Sequence, residues 1–246
     1  MVSILTAKPV NVQAKFRGQF IPPNYSLFRV EISTALAAKL AEIFGLQSVN
    51  IVINQSASST QYLYFRYFLQ GEPFRYMDVS IGIDQAEVVF FNPATIPELM
   101  TEFEKVWKII LESLSPSIRQ TYFEATLHCE ADGVGAKAFL NQTVQLPWDA
   151  NQTVRVPSDI GEIHKGFSIT SQQNSSLSAR LSFDLSGSVK DGLYVVFAYF
   201  SMATMADMIA FSQLCHSIVV SYRRLQDLGS VQILERNTDG TYSKRN

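Results

Sequence analysis

Cysteine is nearly missing from this sequence, with Cys129 and Cys215 the only two among 246 residues. Two thiols cannot build a multi-bridge scaffold, so the chain must stand on a hydrophobic core, and a reducing, cytoplasmic compartment is expected. Charge is scarce as well. Charged residues make up 17% of the chain, and 20 basic against 22 acidic side chains leave a formal net charge of −2. Nothing in that balance draws in phosphates or an anionic membrane, so neither nucleic acid nor membrane is an expected partner. Apolar runs stay far short of the ~20 residues that cross a bilayer. Residues 1–20 lack the continuous apolar stretch and small-residue cleavage site of a signal peptide. The N-x-S/T triplets at Asn54, Asn141, Asn151 and Asn174 then read as polar turns rather than glycosylation sites.

Catalytic signatures are missing too. The three histidines, His128, His164 and His216, show no paired ligand spacing, so no metal is expected. Gly133-Val134-Gly135 follows a strand and opens a helix, the setting of a phosphate cradle, but the third glycine and the Lys-Ser/Thr pair are absent. No G-x-S-x-G elbow occurs, which leaves a nucleophilic hydrolase unsupported. The one polar pair that strand geometry brings together is His128 with Glu130, on one face of a strand over 122–130 with Cys129 on the other. No catalytic residue and no cofactor follow from these residues.

What the chain does have is apolar and aromatic content, 47% and 12% respectively. Ile96, Leu99, Met100, Phe103, Val106, Trp107, Ile110, Leu111 and Leu114 recur at helical spacing behind a Thr95/Glu98 capping pair, and Ser115-Pro116 ends the run. Residues 75–83 and 87–91 before it read as a β-hairpin. The same order returns about 107 residues later. Asp78-Val79-Ser80 meets Asp184-Leu185-Ser186, Val88-Val89-Phe90 meets Val195-Val196-Phe197, and residues 94–100 meet 203–209. Upstream, residues 25–32 lead into a helical stretch over 33–44, as residues 122–130 lead into one over 134–140. The expected fold is therefore α+β, with two pseudo-symmetric halves from an internal duplication, each an antiparallel sheet backed by a long amphipathic helix. Its divisions are an arm over 1–24, halves over 25–118 and 119–228, and a C-terminal strand and polar tail over 229–246. Matching the helices at the last offset pairs His216 with Trp107, which predicts that His216 is packed.

The most suggestive stretch is 61–69. As a strand it turns Leu63, Phe65, Tyr67 and Leu69 one way, and Tyr62, Tyr64, Arg66 and Phe68 the other. Aromatic residues with arginine are enriched at protein interfaces. The irregular segment 142–165 carries Trp148 and is a second candidate contact. These features predict a non-enzymatic protein-binding, scaffolding or chaperone-like accessory protein that holds a protein partner or self-associates as a homo-oligomer. The rival is an enzyme or small-ligand carrier with its site in a cleft between the halves and His128 and Glu130 as its polar pair.

Overall fold

The first strand, β1 (Leu5–Phe20), is 16 residues long and central to the sheet, although the sequence reading had set residues 1–24 aside as an arm. Its alternation is broken, which is why it does not stand out. Leu5 and Ala7 point into the core before Pro9, and Ala14, Phe16 and Phe20 after it, because the pairing with β6 shifts between Pro9 and Asn11. One extra residue in a bulge changes which parity faces inward. The structure, a computed structural model, describes residues 4–47, 50–54, 62–69, 74–133, 135–144, 165–174, 176–237 and 241–244.

After β1 come a 3-10 turn (Tyr25–Phe28), α1 (Val30–Phe44), β2 (Ile51–Ile53), β3 (Leu63–Leu69), β4 (Arg75–Ile81), β5 (Gln85–Phe91) and α2 (Ile96–Leu114). Residues 25–32, read as the lead-in matching strand 122–130, are thus helical instead. The chain continues with β6 (Ile118–Ala131), α3 (Ala136–Thr143), β7 (Phe167–Asn174), β8 (Leu177–Leu185), β9 (Leu193–Ser201), α4 (Met208–Gly229), β10 (Val231–Ile233), β11 (Glu235–Arg236) and β12 (Tyr242–Ser243). The fold is α+β. One large sheet runs β2-β3-β4-β5-β1-β6-β9-β8-β7, antiparallel at every step, and β10 adds a short parallel pairing to the start of β1. Where two sheets were expected, the β1–β6 ladder joins the strands into one.

The described helices cover a single face of this sheet. Phe44 of α1 meets Phe65 and Tyr67, Trp107 of α2 meets Phe16, Phe139 of α3 meets Phe167, and α4 packs Gly229 beside Phe183. At the centre Phe16 lies 6.0 Å from Phe103, 5.2 Å from Trp107 and 5.4 Å from Phe211, ring centre to ring centre. Each such buried aromatic contributes roughly 1.5–3 kcal/mol by leaving water. Gly18 is required beneath that cluster, since a Cβ there would sit 2.7 Å from Trp107 Cη2.

Both long helices begin at a side-chain cap. Thr95 accepts a hydrogen bond from the Glu98 amide at the start of α2, and Asp207 accepts one from the Ala210 amide at the start of α4. The two capped starts are 112 residues apart, the difference between 207 and 95, whereas the sequence blocks repeat at 109. At the offset of 112 buried Leu99, Phe103 and Val106 match buried Phe211, Cys215 and Ile218, and exposed Glu104 matches His216. The expectation that His216 is packed is overturned: it is exposed. The β9–α4 connection, residues 202–207, is two residues longer than the β5–α2 connection, residues 92–95, and the face that α4 turns inward carries Phe211, Cys215 and Ile218 rather than His216.

Candidate binding face

Alternation along the strands that build the sheet's core also builds its other face, on which no helix of the described residues packs. Hydrogen-bond register arranges that face in three cross-strand rows. The first holds Phe68, Tyr76, Phe91, Gln13, Thr126, Val196, Ser182 and Ser168. The second holds Arg66, Asp78, Val89, Lys15, Glu124, Ala198, Arg180 and Thr170, and the third Tyr64, Ser80, Glu87, Arg17, Tyr122, Phe200, Ser178 and Gln172. Opposite charges fall on adjacent strands. Arg66 grips Asp78 through two hydrogen bonds of 2.6 and 2.8 Å, Arg17 lies 3.1 Å from Glu87, and Lys15 lies 3.5 Å from Glu124. Such pairs neutralise one another locally and leave little field for a polyanion.

Two environments on this face shift ionisations. Burial, then the hydrogen bond to Glu124, pushes the Tyr122 phenol up to about 12. Partial burial and the neighbouring Asp78 carboxylate, 3.1 Å from its hydroxyl, raise Tyr64. The hydrogen bond to the same carboxylate raises Arg66 further above its ordinary value. These groups are held in fixed charge states at neutral pH, which suits recognition rather than proton transfer.

The first row ends in an aromatic corner. Tyr76 stacks on Phe91 at 4.1 Å, Phe68 and Phe74 lie 5.6 Å apart, and the Arg66 guanidinium sits 4.5 Å over the Tyr76 ring. Phe68 is 56% exposed and Phe74 64%. The corner is tied to the rest of the fold from behind. Asn92, in the left-handed region at φ 52, accepts from the Val12 amide and donates to the Phe74 carbonyl. Arg75 donates to the Asn92 carbonyl and pairs with Glu98, which also accepts from the Ala94 amide at the start of α2. Two exposed phenylalanines are thus presented on a backbone that is locked to β1 and α2.

Of the residues read from the sequence, Tyr64, Arg66 and Phe68 share this face as alternation requires. Tyr62 does not join them. It precedes β3, is only 3% exposed, and packs its ring against Phe28 at 5.7 Å. Trp148, His164 and nearly all of segment 142–165 lie outside the described residues. Phe74, Tyr76 and Phe91 were missed. Their signal was available in the alternation of 74–80 and 87–91, but only the pairing of β4 with β3 and β5 turns them into neighbours of Phe68.

His128 and Glu130 lie on the helix-free face of β6, with Cys129 buried opposite. They are engaged separately. His128 Nδ1 is 2.8 Å from Ser186 Oγ with its ring beside Tyr194, while Glu130 pairs with Lys8 at 3.7 Å. The start of α3 at Gly135 is also already occupied by a side chain. The Asp191 carboxylate accepts from the Lys137 amide, and a Cβ on Gly135 would collide with it. No group of three or more metal-ligating side chains occurs among the described residues. No helix of the described residues is long and apolar enough to cross a membrane.

The sheet's helix-covered side holds a separate cavity of about 120 Å³ between α2, α4 and the C-terminal strands. Neither His128 nor Glu130 lines it. Compared with known proteins, the chain matches no family model, and no curated protein sequence is significantly similar to it.

Proposed function

We propose that this chain is a non-enzymatic protein-binding or scaffolding protein that holds its partner on the helix-free sheet face, with Phe68 and Phe74 as anchors. The observation that carries this reading is their exposure, 56% and 64%, at the end of a contiguous aromatic row on a rigid sheet. Large apolar rings left in water on a braced surface cost free energy that a partner recovers by covering them. Arg66, held flat over Tyr76 by Asp78, adds a residue type that dominates interface energetics. The paired charges in the second and third rows supply a polar surround.

The test compares captured proteins between the wild-type chain and a Phe68→Asp, Phe74→Asp double variant, with sedimentation of both to register self-association. Loss of a specific captured protein, or of a wild-type dimer, in the variant is the expected result. A binding partner retained in full by the variant removes the aromatic corner from the reading.

We further infer that the fold arose by duplication of one unit. Three observations support this. The strand order reads outward from the β1–β6 pair as β5-β4-β3 on one side and β9-β8-β7 on the other. Each of β1 and β6 is followed by a helix, further strands and a long capped helix. α2 and α4 each begin with a side-chain cap and each bury an apolar stripe in the core. On this reading the two faces of the sheet are shared by both units, and the aromatic corner is a specialisation of the first.

A further inference from the structure

The layer between the sheet and the long helices is filled unevenly. At one end of the α2–α4 pair, Phe16, Phe103, Trp107 and Phe211 close the space with four rings. At the other, β1 and β6 offer Ala14 and Ala125, which are direct cross-strand partners, and the helices offer Leu99, Met100 and Ile218. Two alanines side by side leave unfilled the depth that larger side chains occupy elsewhere in the layer. The remaining cavity measures about 120 Å³. Native interiors hold few voids larger than a water molecule, and either alanine could close this one by growing. A cavity at such a position has the properties of a ligand site.

Its walls define the ligand. Ala14, Leu99, Phe123, Leu127, Phe197 and Ile218 are buried and apolar. On the α4 wall Tyr222 and Gln226 are the polar groups; Gln226 is buried and hydrogen-bonds to Tyr222. The charged residues of the lining, Glu235 and Arg236, are half-exposed on the C-terminal strand, and the buried wall carries no counter-charge for a charged molecule. A dry apolar cavity of ~150 Å³ holds a benzene-sized molecule. Entry is on the side of half-exposed Val219 and Met100 and of the C-terminal residues Glu235 and Tyr242.

We propose that the cavity over Ala14 and Ala125 binds a small neutral molecule with a ring-sized apolar body and one hydrogen-bonding group, the latter received by Gln226 and Tyr222. This site is on the opposite side of the sheet from the aromatic corner and does not depend on the protein-binding reading.

The experiment titrates benzene and phenol into the full chain and follows thermal unfolding and binding heat. Expected is a saturable rise in Tm with both probes, with phenol the tighter. Gln226→Leu removes the advantage of phenol while benzene still binds. Ala125→Leu, which fills the cavity, weakens both probes by about tenfold or more with the circular dichroism unchanged. Should that variant fail to fold, Val219→Phe at the rim gives the same comparison. The Phe68→Asp, Phe74→Asp variant binds both probes like wild type, so a failure of this site and a failure of the binding face are told apart. No saturable response in the wild-type chain, or equal affinity in the wild-type and filled chains, overturns the proposal.

Discussion

At the scale of single residues, burial sets the behaviour of the two thiols. Cys129 and Cys215 are both free and both buried. Burial raises the Cys129 thiol from 9.0 to about 12, and burial with the Glu104 carboxylate raises Cys215 likewise to about 12. Thiolate is the reactive form, so the folded protein should resist alkylation at neutral pH and react only as fast as it opens; rapid labelling of either thiol in the native state would contradict this burial. The same shift links stability to pH. Because the folded thiols keep their protons to a higher pH than unfolded ones, their contribution is complete below pH 9.0 and is lost as pH rises from 9.0 towards about 12. Denaturant midpoints taken across that window should fall, and Cys129→Ala with Cys215→Ala should flatten the fall. Tyr62 shows the opposite lesson. Its place in an aromatic strip was legible from alternation, but β3 begins one residue later, and a residue outside the strand is not bound by the strand's parity.

At the scale of elements, the long helices were the most legible part of the sequence, because a burial stripe and a cap are both local patterns. The Thr95 cap, the Ser115 stop and the Gly45 stop of α1 all stand where the residues place them. Replacing Thr95 or Asp207 by Ala should each lower unfolding free energy by about 1 kcal/mol, read from urea denaturation. What was not legible is the rotation of α4. The sequence blocks match at 109 across connections that differ in length, so they set loop against helix and put buried Trp107 opposite exposed His216. The structural offset makes a sharp comparison. Trp107→Ala should cost about 3–5 kcal/mol, because it empties the space over Phe16 and Gly18. His216→Ala, on the exposed side of α4, should stay within about 0.5 kcal/mol. Comparable losses for the two substitutions would restore the sequence pairing.

For the whole molecule, the decisive element is β1, which lies in the segment 1–24 that the sequence by itself presents as an arm. It pairs with β5, β6 and β10, so it joins the first hairpin, the second set of strands and the C-terminus in one sheet. Ending the chain after Gly229 would strip β10 from Leu5 and Ala7 and remove buried Val231 and Ile233. A loss of about 3–6 kcal/mol is expected, seen as a lowered Tm of the shortened chain. A truncated protein as stable as the full one would mean that β10 is not part of the cooperative unit. Periodicity, capping residues and composition by themselves determined that this is an α+β chain with amphipathic helices after β-hairpins and an aromatic, arginine-bearing strand. Those are properties of neighbours in sequence. Only the tertiary structure decided that the strands make one sheet, that one of its faces stays free of described helices, that Phe74, Tyr76 and Phe91 gather beside Phe68, and that Ala14 meets Ala125 over a cavity. Each depends on register between strands far apart in the chain, and a bulge at Pro9 is enough to hide that register from any reading of alternation alone.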